Sequence, residues 1–249
     1  MANTFFQFKQ FIVHQEHTSM KVCTDACLFG GWVVQSEKDR TAVKNILDIG
    51  TGTGLLSLMM AQSNPTVNIT AVEIESLAAQ EAQRNFDISP WNHQLKLVPM
   101  SIQQFSTDNN EVFDTIITNP PFYEDDLKSP DQNKNKAAHS TELPWAILIE
   151  NVNHLLAEEG HFYVLTPTLR AYTMQKLCEK NGFQLIEEVL VHNTNKNLPI
   201  RAMQKFIKTN INSSSPLIAK RSKITIKDTD NNYTESFQEL LREYYLHLI

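Results

Sequence analysis

A chain of 249 residues, 41% hydrophobic and with three cysteines, is long enough for one large domain or two small ones and too poor in cysteine for a disulfide framework. No apolar run approaches the ~20 residues of a membrane span, and the start MANTFFQFKQF lacks the apolar core of a signal peptide, which together predict a soluble protein of the reducing cytoplasm. The net charge of −6 argues against a uniformly basic nucleic-acid binder, yet residues 196–227 hold eight Lys or Arg and no Asp or Glu. Such a basic segment suggests an anionic partner, or else lysines guarding an edge strand beside a solvated loop.

From residue 44 onward, strand-like runs alternate with helical patterns. KNILDIG (44–50) reads as a buried strand, LLSLMMAQ (55–62) as a helix, NITAVEIE (68–75) as a strand, and SLAAQEAQRNFDIS (76–89) as a helix with Ser76 as N-cap. LKLVPM (95–100) and VFDTIITN (112–119) follow as strands, then a helix over about 143–157 ending near Gly160. HFYVLTP (161–167), a helix over about 169–181, FQLIEEVLV (183–191) and AMQKFIKT (202–209) complete the alternation, which predicts a parallel sheet covered on both faces. Residues 123–140 and 210–222 read as loops, the first a candidate lid. The tail 233–248 reads as an amphipathic helix with Phe237, Leu240, Leu241, Tyr244 and Leu248 on its apolar face.

Three of the seven glycines fall in DIGTGTG (48–54), where the first strand turns into the first helix. A glycine-rich turn there lets a ligand approach the backbone and meet helix N–H groups. The dinucleotide pattern G-x-G-x-x-G fails at Leu55, so a nicotinamide or flavin is disfavoured. An acid before the glycines (Asp48) and another at the end of the next strand (Glu73), placed to accept from two ribose hydroxyls, fit an adenosine-containing ligand better.

NPPF (119–122) ends another strand of the same sheet. Proline fixes its own φ and pushes the residue before it toward extended geometry, so the stretch can hold Asn119 and the Pro120 carbonyl as rigid acceptors.

DIGTGTG and NPPF resemble the class I S-adenosylmethionine-dependent methyltransferases that act on planar amino groups. FFQFKQFIVHQ, SMKVCTDACLFGGW, FDISPW, FDTIITNPPF and NNYTESFQELLREYYL look like the bacterial tRNA(Val) adenine-N6 methyltransferase family, over nearly the whole chain. The resemblance implies an α/β, Rossmann-like fold with a seven-stranded, mostly parallel sheet and helices on both faces. It implies a single domain, 1–249, with a cofactor-covering segment (1–43), a core (44–210) and a C-terminal basic loop and helix (211–249). The implied reaction is methylation of the exocyclic N6 of the adenosine immediately 3′ of the anticodon, position 37 of the tRNA. The cofactor is S-adenosyl-L-methionine and its product S-adenosyl-L-homocysteine. The enzyme is expected to be a monomer without metal or membrane association.

By the same resemblance, Asn119, Pro120, Pro121 and Phe122 carry catalysis. Asp48, Gly50, Thr51, Gly52, Gly54, Glu73, Ile74, Ser101 and Ile102 contact the cofactor, and Lys21, Thr24 and Asp25 lie across its amino-acid end. Lys134, Lys136, Lys196, Arg201, Lys205, Arg221 and Lys223 are the candidate RNA contacts. The chain departs from the family pattern at Ser101, where an acid is usual, at Phe122, where tyrosine is common, and at Cys23 and Cys27, where glycines are usual. Lys134, Lys136 or His139 would serve where the family often has a lid arginine. His14, His17, Cys23 and Cys27 are four soft ligands in a short span, but zinc sites use tighter and more regular spacings. A protein glutamine-N5 methyltransferase using the same NPPF site, and a catalytically idle tRNA-binding module, remain the alternatives.

Overall fold

The computed structural model describes residues 3–18, 20–40, 43–109, 111–120, 145–209 and 217–248. Pro121, Phe122, Lys134, Lys136, the candidate lid 123–140 and most of 210–222 lie outside the described residues. The chain opens with a hairpin of β1 (Phe5–Gln7) and β2 (Ile12–His14), followed by α1 (Thr24–Glu37). Then come β3 (Asn45–Ile49), α2 (Leu55–Ser63), β4 (Asn68–Val72), α3 (Ser76–Asp87), β5 (Leu95–Val98), α4 (Ile102–Asp108) and β6 (Phe113–Thr118). The remainder is α5 (Trp145–Leu155), β7 (Leu156–Pro167), α6 (Thr168–Lys180), β8 (Phe183–Thr194), β9 (Arg201–Lys208), β10 (Lys220–Lys227) and α7 (Glu235–Leu241).

The large sheet has eight strands in the order β10-β8-β9-β7-β6-β3-β4-β5. All run parallel except β9, which is antiparallel to both β7 and β8. Runs such as NILDI and FDTIIT are buried almost throughout because helices cover both faces, which leaves no polar face to alternate with. The chain begins its sheet at β3, winds outward through β4 and β5, and returns to β6 on the other side of β3. That reversal opens a crevice at the C-terminal ends of β3 and β6, the position where open α/β sheets bind ligands.

The expected seven strands become eight because KRSKITIK, placed partly in the loop 210–222, forms β10. It adds to the sheet edge beside β8, where Lys220 lies 3.5 Å from Glu187 and Arg221 3.5 Å from Glu188. Much of the basic cluster is thus an edge strand guarded by cations and neutralised by its neighbour. The terminal helix is shorter than expected: α7 stops at Leu241, and the chain turns through Tyr244 to Leu248, which are buried all the same. The helix expected to reach Gly160 ends at Leu155 instead. Leu156 already pairs with Phe113 and His161 with Thr115, so residues 157–160 form a bulge that turns at Glu159, φ 61°.

Helix α1 carries no polar face to reveal it, being buried from Ala26 to Val33. Its glycines are close-approach positions: a Cβ on Gly30 would lie 2.6 Å from the Met59 sulfur, and one on Gly31 2.5 Å from the Leu240 carbonyl oxygen. At its C-terminus the buried Glu37 carboxylate gathers donors from two strands and from the turn that follows the helix. Arg40 Nη1 is at 2.8 Å, His161 Nδ1 at 2.7 Å, Tyr163 Oη at 2.5 Å and Thr115 Oγ1 at 2.9 Å. A carboxylate only accepts, so Nδ1–H of His161 donates to it. Lys205 stands 3.8 Å away and donates to Ser36 at 2.9 Å.

Burial pushes the Glu37 carboxyl up, but the hydrogen bonds from His161 and Tyr163 and the Arg40 charge outweigh it and hold the group at about 2. A carboxyl lowered in this way stabilises the fold fully above its unfolded value near 4.5, and the contribution is lost as pH falls toward 2. Glu37→Gln is expected to cost about 3 kcal/mol near neutrality. In urea titrations from pH 7 to pH 3 the gap between wild type and variant should narrow below about pH 4.5; a gap independent of pH would mean that the charge of Glu37 does not stabilise the fold.

Candidate active site

The groups singled out at the ends of four strands converge on the crevice. β3 delivers Asp48 and the glycine turn, β4 delivers Glu73, β5 leads to Ser101, and β6 leads to Asn119. The turn is built on left-handed backbone at Gly50, Gly52 and Gly54, with φ of 68°, 57° and 83°. The three do different work. A Cβ on Gly50 or Gly52 would meet nothing within 4 Å, so these two leave an open cradle, whereas one on Gly54 would lie 2.4 Å from the Phe86 ring.

Two buried carboxylates hold the turn. Asp48 Oδ2 accepts from Thr51 Oγ1 at 2.6 Å and from Ser57 Oγ at 2.7 Å, while Oδ1 is buried without a partner among the described residues. Burial raises the Asp48 carboxyl to about 6, against the pull of those two hydroxyls. Glu73 Oε2 accepts from Gly52 N and Oε1 from Glu75 N, both at 2.9 Å. Each oxygen of Glu73 keeps a lone pair for a further donor such as a ribose hydroxyl. Beside it, Ile74 is 69% exposed, an apolar side chain facing solvent at the rim of the crevice. Ser101 is the N-cap of α4, its hydroxyl oxygen accepting from Gln104 N at 3.2 Å, and Ile102 is buried behind it.

Asn119 follows β6, whose last residue, Thr118, ties across to β3 by donating to the Ile49 carbonyl at 2.8 Å. Its Oδ1 is buried with no partner among the described residues, and Pro120 is buried after it. A buried acceptor without a donor costs about 1–3 kcal/mol and calls for an explanation, which a ligand N–H supplies. The open cradle at Gly50 and Gly52 and the free oxygens of Asp48 and Asn119 fit a ligand with an adenosine moiety and a donor-rich end. Among the described residues, no three His, Cys, Asp or Glu side chains are grouped to hold a metal ion.

The remaining candidates divide. Thr24 and Asp25 open α1, and Asp25 binds Arg201 Nε at 2.8 Å, so Arg201 spans to the N-terminal segment rather than projecting toward a partner. Lys21 donates to the Asn3 carbonyl at 3.2 Å. Lys205 was expected on an RNA-facing surface and instead lies inside the fold with Glu37, because its strand is covered by α1. Arg221 and Lys223 are exposed on β10, and Lys196 is exposed in the turn between β8 and β9.

Sequence reasoning passed over the side chains that dock the N-terminal segment. Glu81 accepts backbone N–H bonds from Glu16, from His17 at 3.1 Å and from Thr18 at 3.0 Å. Asn85 accepts from His14 N and donates to the carbonyls of His14 and Thr53, each at 2.9 Å. The only signal was a polar pair four residues apart on a helix face whose neighbours are apolar, a pattern that ordinarily reads as a solvated stripe.

Residues 33–188 match the family model described as the methyltransferase small domain. The tRNA1(Val) (adenine(37)-N6)-methyltransferase of Dyadobacter fermentans is 35% identical over 98% of this chain and 98% of its own length. The enzyme of the same name from Cytophaga hutchinsonii is 36% identical over 100% of both chains. Among solved structures, a predicted O-methyltransferase from Agrobacterium tumefaciens superposes with a TM-score of 0.67 over 88% of this chain and 95% of its own. At 17% identity that likeness bears on the fold alone.

The two kinds of glycine should separate on substitution. Gly52→Ala puts a methyl into the open cradle and is expected to weaken S-adenosylhomocysteine binding at least tenfold, at a stability cost of about 1–2 kcal/mol for the left-handed backbone. Gly54→Ala drives a methyl into Phe86 and is expected to lose more stability than that. Calorimetric titration and urea unfolding of both variants check this; equal binding by wild type and Gly52→Ala would remove the cradle from the ligand site.

Proposed function

The chain belongs to the tRNA1(Val) (adenine(37)-N6)-methyltransferases, within the methyltransferase small domain family, and we propose that it methylates the exocyclic N6 of an adenosine in the tRNA anticodon loop, position 37 of tRNA(Val). The observation that carries the mechanism is the buried, unpartnered Oδ1 of Asn119 at the end of β6.

When bound, S-adenosyl-L-methionine supplies a methyl group already activated by its sulfonium, leaving S-adenosyl-L-homocysteine. Gly50 and Gly52 admit it against the backbone, Glu73 and Asp48 offer carboxylate acceptors, and Ile74 offers apolar surface beside an adenine, with Ile102 packed behind Ser101 as the floor of that edge. Thr51 holds Asp48 in place through its hydroxyl. Lys21, Thr24 and Asp25 close the site from the N-terminal segment.

An adenine amine is a weak nucleophile because its lone pair is delocalised into the ring. Acceptors on both of its hydrogens favour a pyramidal nitrogen whose lone pair faces the methyl donor. Asn119 Oδ1 is one acceptor and the Pro120 carbonyl the other, and the prolines keep both placed before the substrate arrives. Phe122 offers a ring on which the base stacks, worth about 1–3 kcal/mol. The substrate nitrogen loses its proton to solvent after transfer, so no protein base is required. A base in a single-stranded loop leaves its stack most readily, in keeping with an anticodon loop. Lys196, exposed in the turn between β8 and β9 at this end of the sheet, is proposed to meet RNA phosphates together with Lys134 and Lys136, and Arg221 and Lys223 at the sheet edge are further candidates.

Among the described residues no helix is long and apolar enough to cross a membrane. We place the enzyme in the cytoplasm, acting as a monomer and without a metal.

The test is methyl transfer from labelled S-adenosylmethionine to bulk tRNA lacking the modification, alongside a soluble-protein pool, followed by nucleoside digestion. Label is expected as N6-methyladenosine; label confined to protein would replace this reading with glutamine methylation. Asn119→Ala is expected to lower turnover by at least a hundredfold while S-adenosylhomocysteine affinity changes less than about threefold. Parallel loss of both would move Asn119 into the cofactor site.

A further inference from the structure

The chemistry assigned to Asn119 requires its oxygen, not its nitrogen, to face the substrate amine. A primary amide can present either end by a half-turn of its terminal torsion, and an N–H turned toward the amine would oppose a donor with a donor. Something in the fold must therefore choose the orientation. Asn119 Nδ2 lies 3.7 Å from the thioether sulfur of Met20 and donates to it. Sulfur in methionine accepts weakly and donates nothing. The reversed amide would set its oxygen against that sulfur, lone pair to lone pair, and bring the amide nitrogen to the buried point now held by Oδ1.

Met20 is itself held on both sides. Upstream, Glu81 takes the N–H groups of Glu16, His17 and Thr18, and Asn85 pins His14 to the Thr53 carbonyl of the glycine turn. Downstream, Gln15 Oε1 accepts from Val22 N at 2.8 Å, closing the segment on itself across Met20. Met20 is nevertheless 38% exposed at the crevice, so core packing does not account for its place.

We propose, resting on the role given to Asn119 above, that Met20 is a positioning residue: its sulfur holds the Asn119 amide with the nitrogen turned away and the oxygen turned toward the target amine. The glycine turn, the N-terminal segment and the acceptor on β6 are then one mechanical unit, mounted on Glu81 and Asn85.

Met20→Leu keeps the bulk and removes the acceptor. In protein labelled with ¹⁵N-asparagine, with the Asn119 side-chain signal identified by its loss in Asn119→Ala, Met20→Leu is expected to shift that amide resonance. The same variant is expected to lower kcat about two- to fivefold, since one weak acceptor biases two amide orientations, with S-adenosylhomocysteine affinity and the tRNA KM within twofold of wild type. Glu81→Gln, which leaves Met20 chemically intact and loosens its mount, is expected to shift the same resonance. An Asn119 resonance unmoved in Met20→Leu overturns the proposal, and so does a loss of cofactor affinity as large as the loss of kcat. The resonance is read without turnover, so failure of the wild-type protein to methylate tRNA would overturn the reaction assigned above and leave the Met20 contact to be judged on its own.

Discussion

The turn from β3 into α2 depends on two buried carboxylates. Three residues of left-handed backbone in five positions are entropically expensive, and glycine is the residue that gives up most freedom on ordering. Glu73 offsets that cost from the next strand by accepting the Gly52 N–H, and Asp48 does so from within by gathering Thr51 and Ser57. Burying Asp48 in this way raises its carboxyl to about 6 and still leaves one oxygen unpartnered. Together with the free oxygen of Asn119, that makes two unsatisfied acceptors on adjacent strands at the reversal of the sheet. Among the described residues, unpartnered buried acceptors also occur at Gln62, Thr168 and Gln204, but these two stand at the ends of adjacent strands, where open α/β sheets receive a ligand's donors.

The charge separation along the chain has a structural explanation that composition leaves ambiguous. The basic stretch 196–227 spans three environments: a turn at the site end, an interior strand and a sheet edge. In β9, Arg201 engages Asp25 and Lys205 sits beside Glu37, so two of its cations hold α1 against the sheet. In β10, Lys220 and Arg221 lie opposite Glu187 and Glu188 of the neighbouring strand. Much of the apparent polarity is thus spent in pairing a basic edge strand with an acidic neighbour. Such exposed pairs contribute little stability, and their value lies in blocking addition of further strands to the edge.

What the sequence disclosed followed from where one force dominates. Strands such as NILDI and FDTIIT are buried on both faces, so an unbroken apolar run identifies them whatever packs against them. The glycine turn was legible because left-handed backbone leaves few residue choices, and Asn119 because two prolines admit no regular structure after a strand. The hairpin β1–β2 escaped because three-residue strands carry no period. Helix α1 escaped because it is apolar on every side and has two glycines at its centre, each there for a close approach that only tertiary packing defines. The start of β10, residues 220–222, reads as loop because the first half of the strand is basic and exposed, with apolar alternation confined to Ile224 and Ile226. Lys205 was misplaced for a related reason: a cation inside a strand is assigned to the surface unless its buried partner, here Glu37 far away in sequence, is known.

Helix α1 shows how the missed elements complete the site. Its first turn is tied through Asp25 to Arg201 at the site end of β9, and its last turn through Glu37 to His161 and Tyr163 on β7, with Lys205 beside it. The helix therefore lies across two neighbouring strands and is anchored at both ends to groups that cannot shift without exposing a buried charge. Ahead of it, the segment around residues 14–18 is anchored separately to α3. Met20 sits in the short span between these anchors. A flexible thioether would ordinarily make a poor ruler. Fixed from both sides, its backbone has little room to move, and the side chain meets Asn119 at a distance set by the sheet and by two helices that flank it, which is how an N-terminal segment without a recognisable catalytic motif can bear on the orientation of a group at the end of β6.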